Sequence, residues 1–285
     1  MRIKPDWASY LHRLRTREIE RVFQGCPAGC FRQGLELGAG DGFQSGLLAR
    51  YVQSLVCTDY HSAILRQPDT GSIIHRVCDA ERVGEMFAPA TFDLIFSSNM
   101  MEHLPDLGRA LAGVHSVLCD NGLAIHVMPS PFWKLCQIAG FYPEAVIGRL
   151  ERYTMPRVGP QGSCDGVPPG QAGATALSRD GNNPKLEERR YGYLRRLLWA
   201  VPHGVSVSNR AELAAFRPRR WVEEFGRAGF ETATIVAGPV SSGYGFGIDP
   251  LRSLLERLGF ASEYAYVMVK AGLASPYVRY FRPAA

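Results

Sequence analysis

Leu35-Glu36-Leu37-Gly38-Ala39-Gly40-Asp41-Gly42 follows an apolar lead-in from Phe31 and precedes the helical pattern Phe43-Gln44-Ser45-Gly46-Leu47-Leu48. A buried strand, a glycine turn and a helix start make a cradle for a nucleotide-type ligand. Glycine accepts the dihedral angles of a tight turn and lets a ligand approach the backbone with no Cβ in the way. The helix start adds unpaired N–H groups. The carboxylate sharpens the reading: Glu36 stands at the end of the strand, and the glycines fall as G-x-G-x-G rather than G-x-G-x-x-G. An acid there would repel a pyrophosphate but favour a cationic ligand. Both features disfavour an NAD-dependent oxidoreductase.

Moving outward, a second apolar run, Leu55-Val56-Cys57-Thr58, ends at Asp59 about twenty residues past the glycines. An acid in that place accepts hydrogen bonds from ribose hydroxyls in nucleotide-binding α/β folds, the reading favoured by its occurrence together with Glu36; the alternative is a cap for a helix beginning at His61. A third strand, Ile73 to Cys78, runs into Asp79-Ala80-Glu81, where Asp79 is also a fitting N-cap for a helix from Glu81 to Phe87. A fourth, Phe92 to Asn99, leads into Met100-Met101-Glu102-His103-Leu104-Pro105. A helix from Asp106 to Leu118 and a fifth strand, Leu123 to Met128, follow. Strands alternating with helices in this way predict a right-handed, parallel α/β sheet.

The four motifs in order, Glu36-x-Gly38-x-Gly40-x-Gly42, Asp59-Tyr60, Asp79-Ala80 and the fourth strand with its His103 turn, resemble class I S-adenosylmethionine-dependent methyltransferases of the small-molecule kind. The resemblance covers roughly residues 31 to 130. It implies a Rossmann-like, seven-stranded methyltransferase sheet whose last strand is antiparallel, with S-adenosyl-L-methionine as cofactor. It also implies roles for single residues. Glu36, Gly38, Ala39, Gly40 and Gly42 would receive the cofactor's charged end, and Asp59 its ribose. Tyr60, Asp79 and Ala80 would hold the adenine, and Ser97 and Asn99 would line the cofactor from the fourth strand. Asp93, at the start of that strand, is structural in the family.

The remaining chain divides into an N-terminal cover (1–30), an insertion (131–210) and a completion of the core with a tail (211–285). Trp7, Leu11, Leu14, Ile19, Val22 and Phe23 recur at helical spacing, and Tyr10 and His12 on that helix are expected to be packed or solvated. The insertion opens with the aromatic, amphipathic Pro131-Phe132-Trp133-Lys134-Leu135. It then turns rich in Gly, Pro, Ser and Asn from Val158 to Lys185, as a loop or link does. Leu194, Leu197, Leu198 and Trp199 next form a strip flanked by Arg189, Arg190, Arg195 and Arg196. A packed lid is one reading of that strip, and weak peripheral contact with an anionic membrane surface is the other. Trp221 to Phe230 and Pro250 to Leu258 read as helices. The stretches from Glu231 to Ala237 and from Ser262 to Lys270 read as the closing strands.

For the chemistry, His103 and His203 are the candidates for a general base acting on an oxygen nucleophile, while His126, inside a strand, reads as a core residue. No spacing of metal ligands appears. The insertion's borders are similar to methyltransferases of bacterial surface-glycan pathways. That likeness points to O-methylation of a sugar hydroxyl, with a small metabolite as the other acceptor and a non-catalytic scaffold as the alternative class. Composition narrows the partners. The 285 residues are 46% hydrophobic with a net charge of +5, too mildly basic to argue for nucleic acid. Seven cysteines without a C-x-x-C pair fit a reducing, cytoplasmic setting. No run is long enough to span a membrane.

Overall fold

The computed structural model describes residues 7–63, 68–141, 208–241 and 249–281. His203, the stretch from Val158 to Lys185 and the strip around Leu194 lie outside the described residues. Seven strands form one sheet: β1 (Phe31–Leu37), β2 (Val52–Asp59), β3 (Ile73–Val77), β4 (Phe92–Ser98), β5 (Leu118–Pro129), β6 (Phe230–Ala237) and β7 (Glu263–Lys270). Their order is β3-β2-β1-β4-β5-β7-β6. The first five are parallel, and β7 runs antiparallel to both β5 and β6. This is the Rossmann-like methyltransferase sheet.

Both faces of the sheet are covered, as a parallel sheet requires. On one face lie α1 (Trp7–Val22), α2 (Phe43–Leu48) and a short 3-10 helix, Pro276–Tyr280. Ile19, Val22 and Phe23 pack there with Leu48, Phe96 and Phe281. The other face carries α3 (Val83–Met86) and α4 (Leu107–Val117). Four further helices are described: α5 over residues 131–141, α6 (Asn209–Ala215), α7 (Pro218–Arg227) and α8 (Asp249–Arg257), the last preceding β7. Trp221 and Phe225 of α7 fill the second core with Val114, Tyr266 and Met268.

Two departures from the sequence reading have local causes. The fifth strand begins at Leu118 rather than Leu123, because Asn121-Gly122 is no turn. A Cβ on Gly122 would lie 2.8 Å from Leu118 Cδ1 and 3.1 Å from Asp93 O, so the glycine permits close packing inside a bulged ladder. The helix expected from Glu81 is split into a 3-10 turn (Ala80–Arg82) and α3, with Asp79 accepting from the Glu81 N–H. The aromatic tail is a brace for the core. Tyr277 packs against Phe31 with the rings tilted and their centroids 4.5 Å apart, and donates its hydroxyl to Asp93, whose carboxylate also accepts the Arg32 and Gln33 N–H groups.

Two strand ends matter most. The connections from β1 run to β2 and β3 on one side, while β4 and β5 lie on the other. In an open α/β sheet a ligand crevice forms at that reversal, outside the carboxyl ends of the central strands. Here those ends are Leu37 and Ser98.

Candidate active site

The chain leaves β1 through three glycines in the left-handed region: Gly38 at φ 76°, Gly40 at φ 59° and Gly42 at φ 79°. Side chains other than glycine avoid such angles. The turn is pinned to β2 by Gly38 and Ala39 N–H bonds to Thr58 O, at 2.8 and 2.9 Å. A Cβ on Gly38 would run into Met100 Cγ at 2.7 Å, whereas one on Gly40 would meet nothing within 4 Å. The Gly40 side of the turn is therefore the open one, where a ligand can reach the backbone.

Asp59 closes that side. Its carboxylate accepts the Gly40 N–H at 3.0 Å and the His61 N–H at 2.8 Å, so it shapes the turn as well as bordering it. A carboxylate has about four acceptor sites, and two N–H groups leave room for ribose hydroxyls. Tyr60 stands beside it, 47% exposed. Asp79 and Ala80 sit at the end of β3, in the capping turn described above.

Glu36 points under the turn. It is buried on the α1–α2 face and accepts from Ser45 Oγ at 2.5 Å. Burial pushes its carboxyl up to about 7, opposed by Ser45 and Cys57 and reinforced by Glu18 and Asp41. Among the described residues no cation pairs with it, and a buried carboxylate near neutrality fits a positively charged ligand. The donor set thus suits S-adenosyl-L-methionine at its cationic end and at its sugar.

Across the reversal, β4 supplies the opposite wall. Ser97 is fully buried and bonds His126 Nδ1 at 2.8 Å, so the residues facing the strand's open end are Ser98 and Asn99. Asn99 adopts φ 48°, a strained angle for a residue with a side chain. Its amide donates to Ser98 Oγ and to Glu263 Oε2, each at 3.1 Å. Arg15 of α1 reaches in, donating to Ser98 Oγ at 2.7 Å and to Glu18. His126 is a core residue, as its place in the strand suggested, and burial drives it down to about 3.

His103 closes the 3-10 turn Met101–His103 after β4. Burial lowers it to about 4, so it is a neutral imidazole at pH 7. Its Nε2 lies 3.7 Å from Glu102 Oε1. The sequence does not single out Glu102 or Arg15, because no one-dimensional signal separates a buried charged residue from a solvated one.

Residues 35–126 match the family model described as a methyltransferase domain. Over these residues the chain is similar to a methyltransferase domain. S-adenosyl-L-methionine is its cofactor. Over 138 residues the chain is 31% identical to the zebrafish (Danio rerio) protein named arginine-hydroxylase NDUFAF5, mitochondrial. That stretch is 45% of this chain, which spans only 42% of the relative's length. A Haloferax volcanii methyltransferase, solved in complex with a methyltransferase activator, superposes with a TM-score of 0.50 at 11% identity, covering 93% of this chain and 94% of that one. It shows the methyltransferase domain's fold continuing through the C-terminal strands. An S-adenosylmethionine-dependent methyltransferase from Mesorhizobium loti is 14% identical, with a TM-score of 0.45 over 85% of this chain and 92% of its own.

Among the described residues no group of three or more His, Cys, Asp or Glu side chains is placed to hold a metal ion. Nor is any described helix long and apolar enough to cross a membrane.

Proposed function

We propose that the chain is an S-adenosyl-L-methionine-dependent methyltransferase that O-methylates a hydroxyl of a sugar, a glycan or a small metabolite. The observation that carries this reading is the glycine turn, open at Gly40, with Asp59 bordering it and Glu36 buried beneath it with no paired cation among the described residues. The bound cofactor supplies an electrophilic methyl group on a good leaving group, so much of the acceleration comes from positioning. Glu36 balances positive charge, Asp59 accepts from the ribose, and Tyr60, Asp79 and Ala80 hold the adenine. Ser97 and Asn99 back the site from β4, Ser97 by fixing the strand through His126.

An oxygen acceptor must also lose its proton. A ring nitrogen of His103 takes it, since the imidazole is neutral and stands on the turn beside the β4 end. His203 is the second candidate base, in the part of the chain outside the described residues. The test is mass spectrometry of acceptor pools (nucleotide sugars, lipid-linked glycans and hydroxylated metabolites) incubated with the protein and methyl-labelled cofactor. A labelled methyl gain on a hydroxyl is the expected result. Conversion of the cofactor with label found only on nitrogen or carbon would refute the oxygen acceptor.

A further inference from the structure

We infer that the methyl acceptor carries a protonated amine, bound by the Glu102 carboxylate beside the glycine turn. This rests on the methyltransferase reading and narrows its acceptor to amino sugars and amino alcohols.

The argument begins with a charge inventory. Four buried carboxylates, Glu18, Glu102, Glu212 and Glu263, gather where α1, α6 and the turn after β4 meet. Among the described residues two cations face them. Arg15 is bound to Glu18, and Lys134 lies 2.5 Å from Glu212 with both side chains fully buried. Glu263 takes a hydrogen bond from Asn99, and burial reinforced by the neighbouring Glu18 pushes its carboxyl well above the usual range. Glu102 is left over. It is 7% exposed, and neither of its oxygens has a hydrogen-bond partner outside its own residue. Its electrostatic neighbours are Arg15 on one side and Glu212 on the other, so it looks into the same cluster.

Leaving two carboxylate oxygens bare in the interior is costly. A fold tolerates that where a ligand completes the site. Burial holds Glu102 protonated, with its carboxyl pushed up to about 8; an arriving ammonium favours the ionised form, the carboxyl proton passing to solvent, and then donates to the carboxylate oxygens. The location fits an acceptor. Met100, two residues before Glu102, packs against Gly38, the first glycine of the cofactor turn. His103 follows at once, its Nε2 3.7 Å from Glu102 Oε1. An amine held on Glu102 thus brings a neighbouring hydroxyl to the base and to the cofactor side together.

The experiment uses the full chain saturated with S-adenosylhomocysteine. Calorimetric titrations compare glucosamine with glucose and ethanolamine with ethylene glycol. Each amine should bind about tenfold tighter than its uncharged counterpart, the usual worth of a charged hydrogen bond. Glu102→Gln, which keeps the shape and removes the charge, should abolish the preference while S-adenosylhomocysteine affinity stays unchanged. Equal or absent responses to amine and hydroxyl probes overturn the inference, as does a preference that survives in Glu102→Gln. A response to magnesium chloride with none to amines overturns it too. If Glu102→Gln does not fold, the paired titrations of the natural protein decide alone. Failure of S-adenosylhomocysteine itself to bind would instead sink the methyltransferase reading.

Discussion

Replacing Glu36 by Gln should make the protein more stable and its cofactor binding weaker. A carboxyl raised from 4.5 to about 7 by full burial carries a penalty of about 3 kcal/mol against its charged form. The sign follows from proton counting. Between about pH 4.5 and 7 the folded chain holds more of this proton than the unfolded chain, so stability falls as pH rises through that window. Above pH 7 the full penalty is present. Gln keeps the shape and can still accept from Ser45 Oγ, but carries no charge to desolvate. Glu36→Gln should therefore match the natural protein near pH 4.5 and exceed it at pH 8 by up to about 3 kcal/mol, or on the order of 5–10 °C in melting temperature. Urea melts at the two pH values measure this. Equal stability at pH 8, or a less stable variant, would show that the Glu36 charge is already compensated and that no cation is needed there.

Asp59→Ala should weaken S-adenosylhomocysteine binding tenfold or more, since hydrogen bonds to charged groups are worth about 1.5–3 kcal/mol; an unchanged dissociation constant would remove Asp59 from the site. Because Asp59 also holds the Gly40 N–H, its melting temperature should fall slightly. Gly40→Val should cost only about 1–2 kcal/mol of stability from its left-handed angle, the Cβ meeting open space, yet abolish cofactor binding; retained affinity would make the turn merely structural. Lys134→Met should destabilise by about 3–5 kcal/mol by stranding Glu212, and adding Glu212→Leu should restore much of the loss. A double variant as unstable as the single would show, by urea denaturation, that packing rather than charge explains the pair.

The sheet was legible because its strands announce themselves locally. Leu35 to Gly42 changes from apolar run to glycine turn within eight residues, and Asp59, Asp79 and Asn99 each mark a strand end at the expected spacing. Gly122 misled because a glycine that admits a neighbour's side chain looks the same in sequence as one that turns the chain. The acceptor side was hardly legible at all. Arg15, Glu102, Lys134, Glu212 and Glu263 come from five separate segments, and their burial is a product of tertiary packing. Lys134 is the sharpest case: in Pro131-Phe132-Trp133-Lys134-Leu135 it reads as the solvated side of an amphipathic helix, yet it is fully enclosed.

The central claim is that the turn after β1 holds S-adenosyl-L-methionine. The most direct measurement is calorimetric titration of the full chain with S-adenosylhomocysteine, repeated with NAD. One-site binding of the former, competed by S-adenosyl-L-methionine and absent for NAD, is the predicted result. No heat with S-adenosylhomocysteine, or binding of NAD in its place, would contradict it.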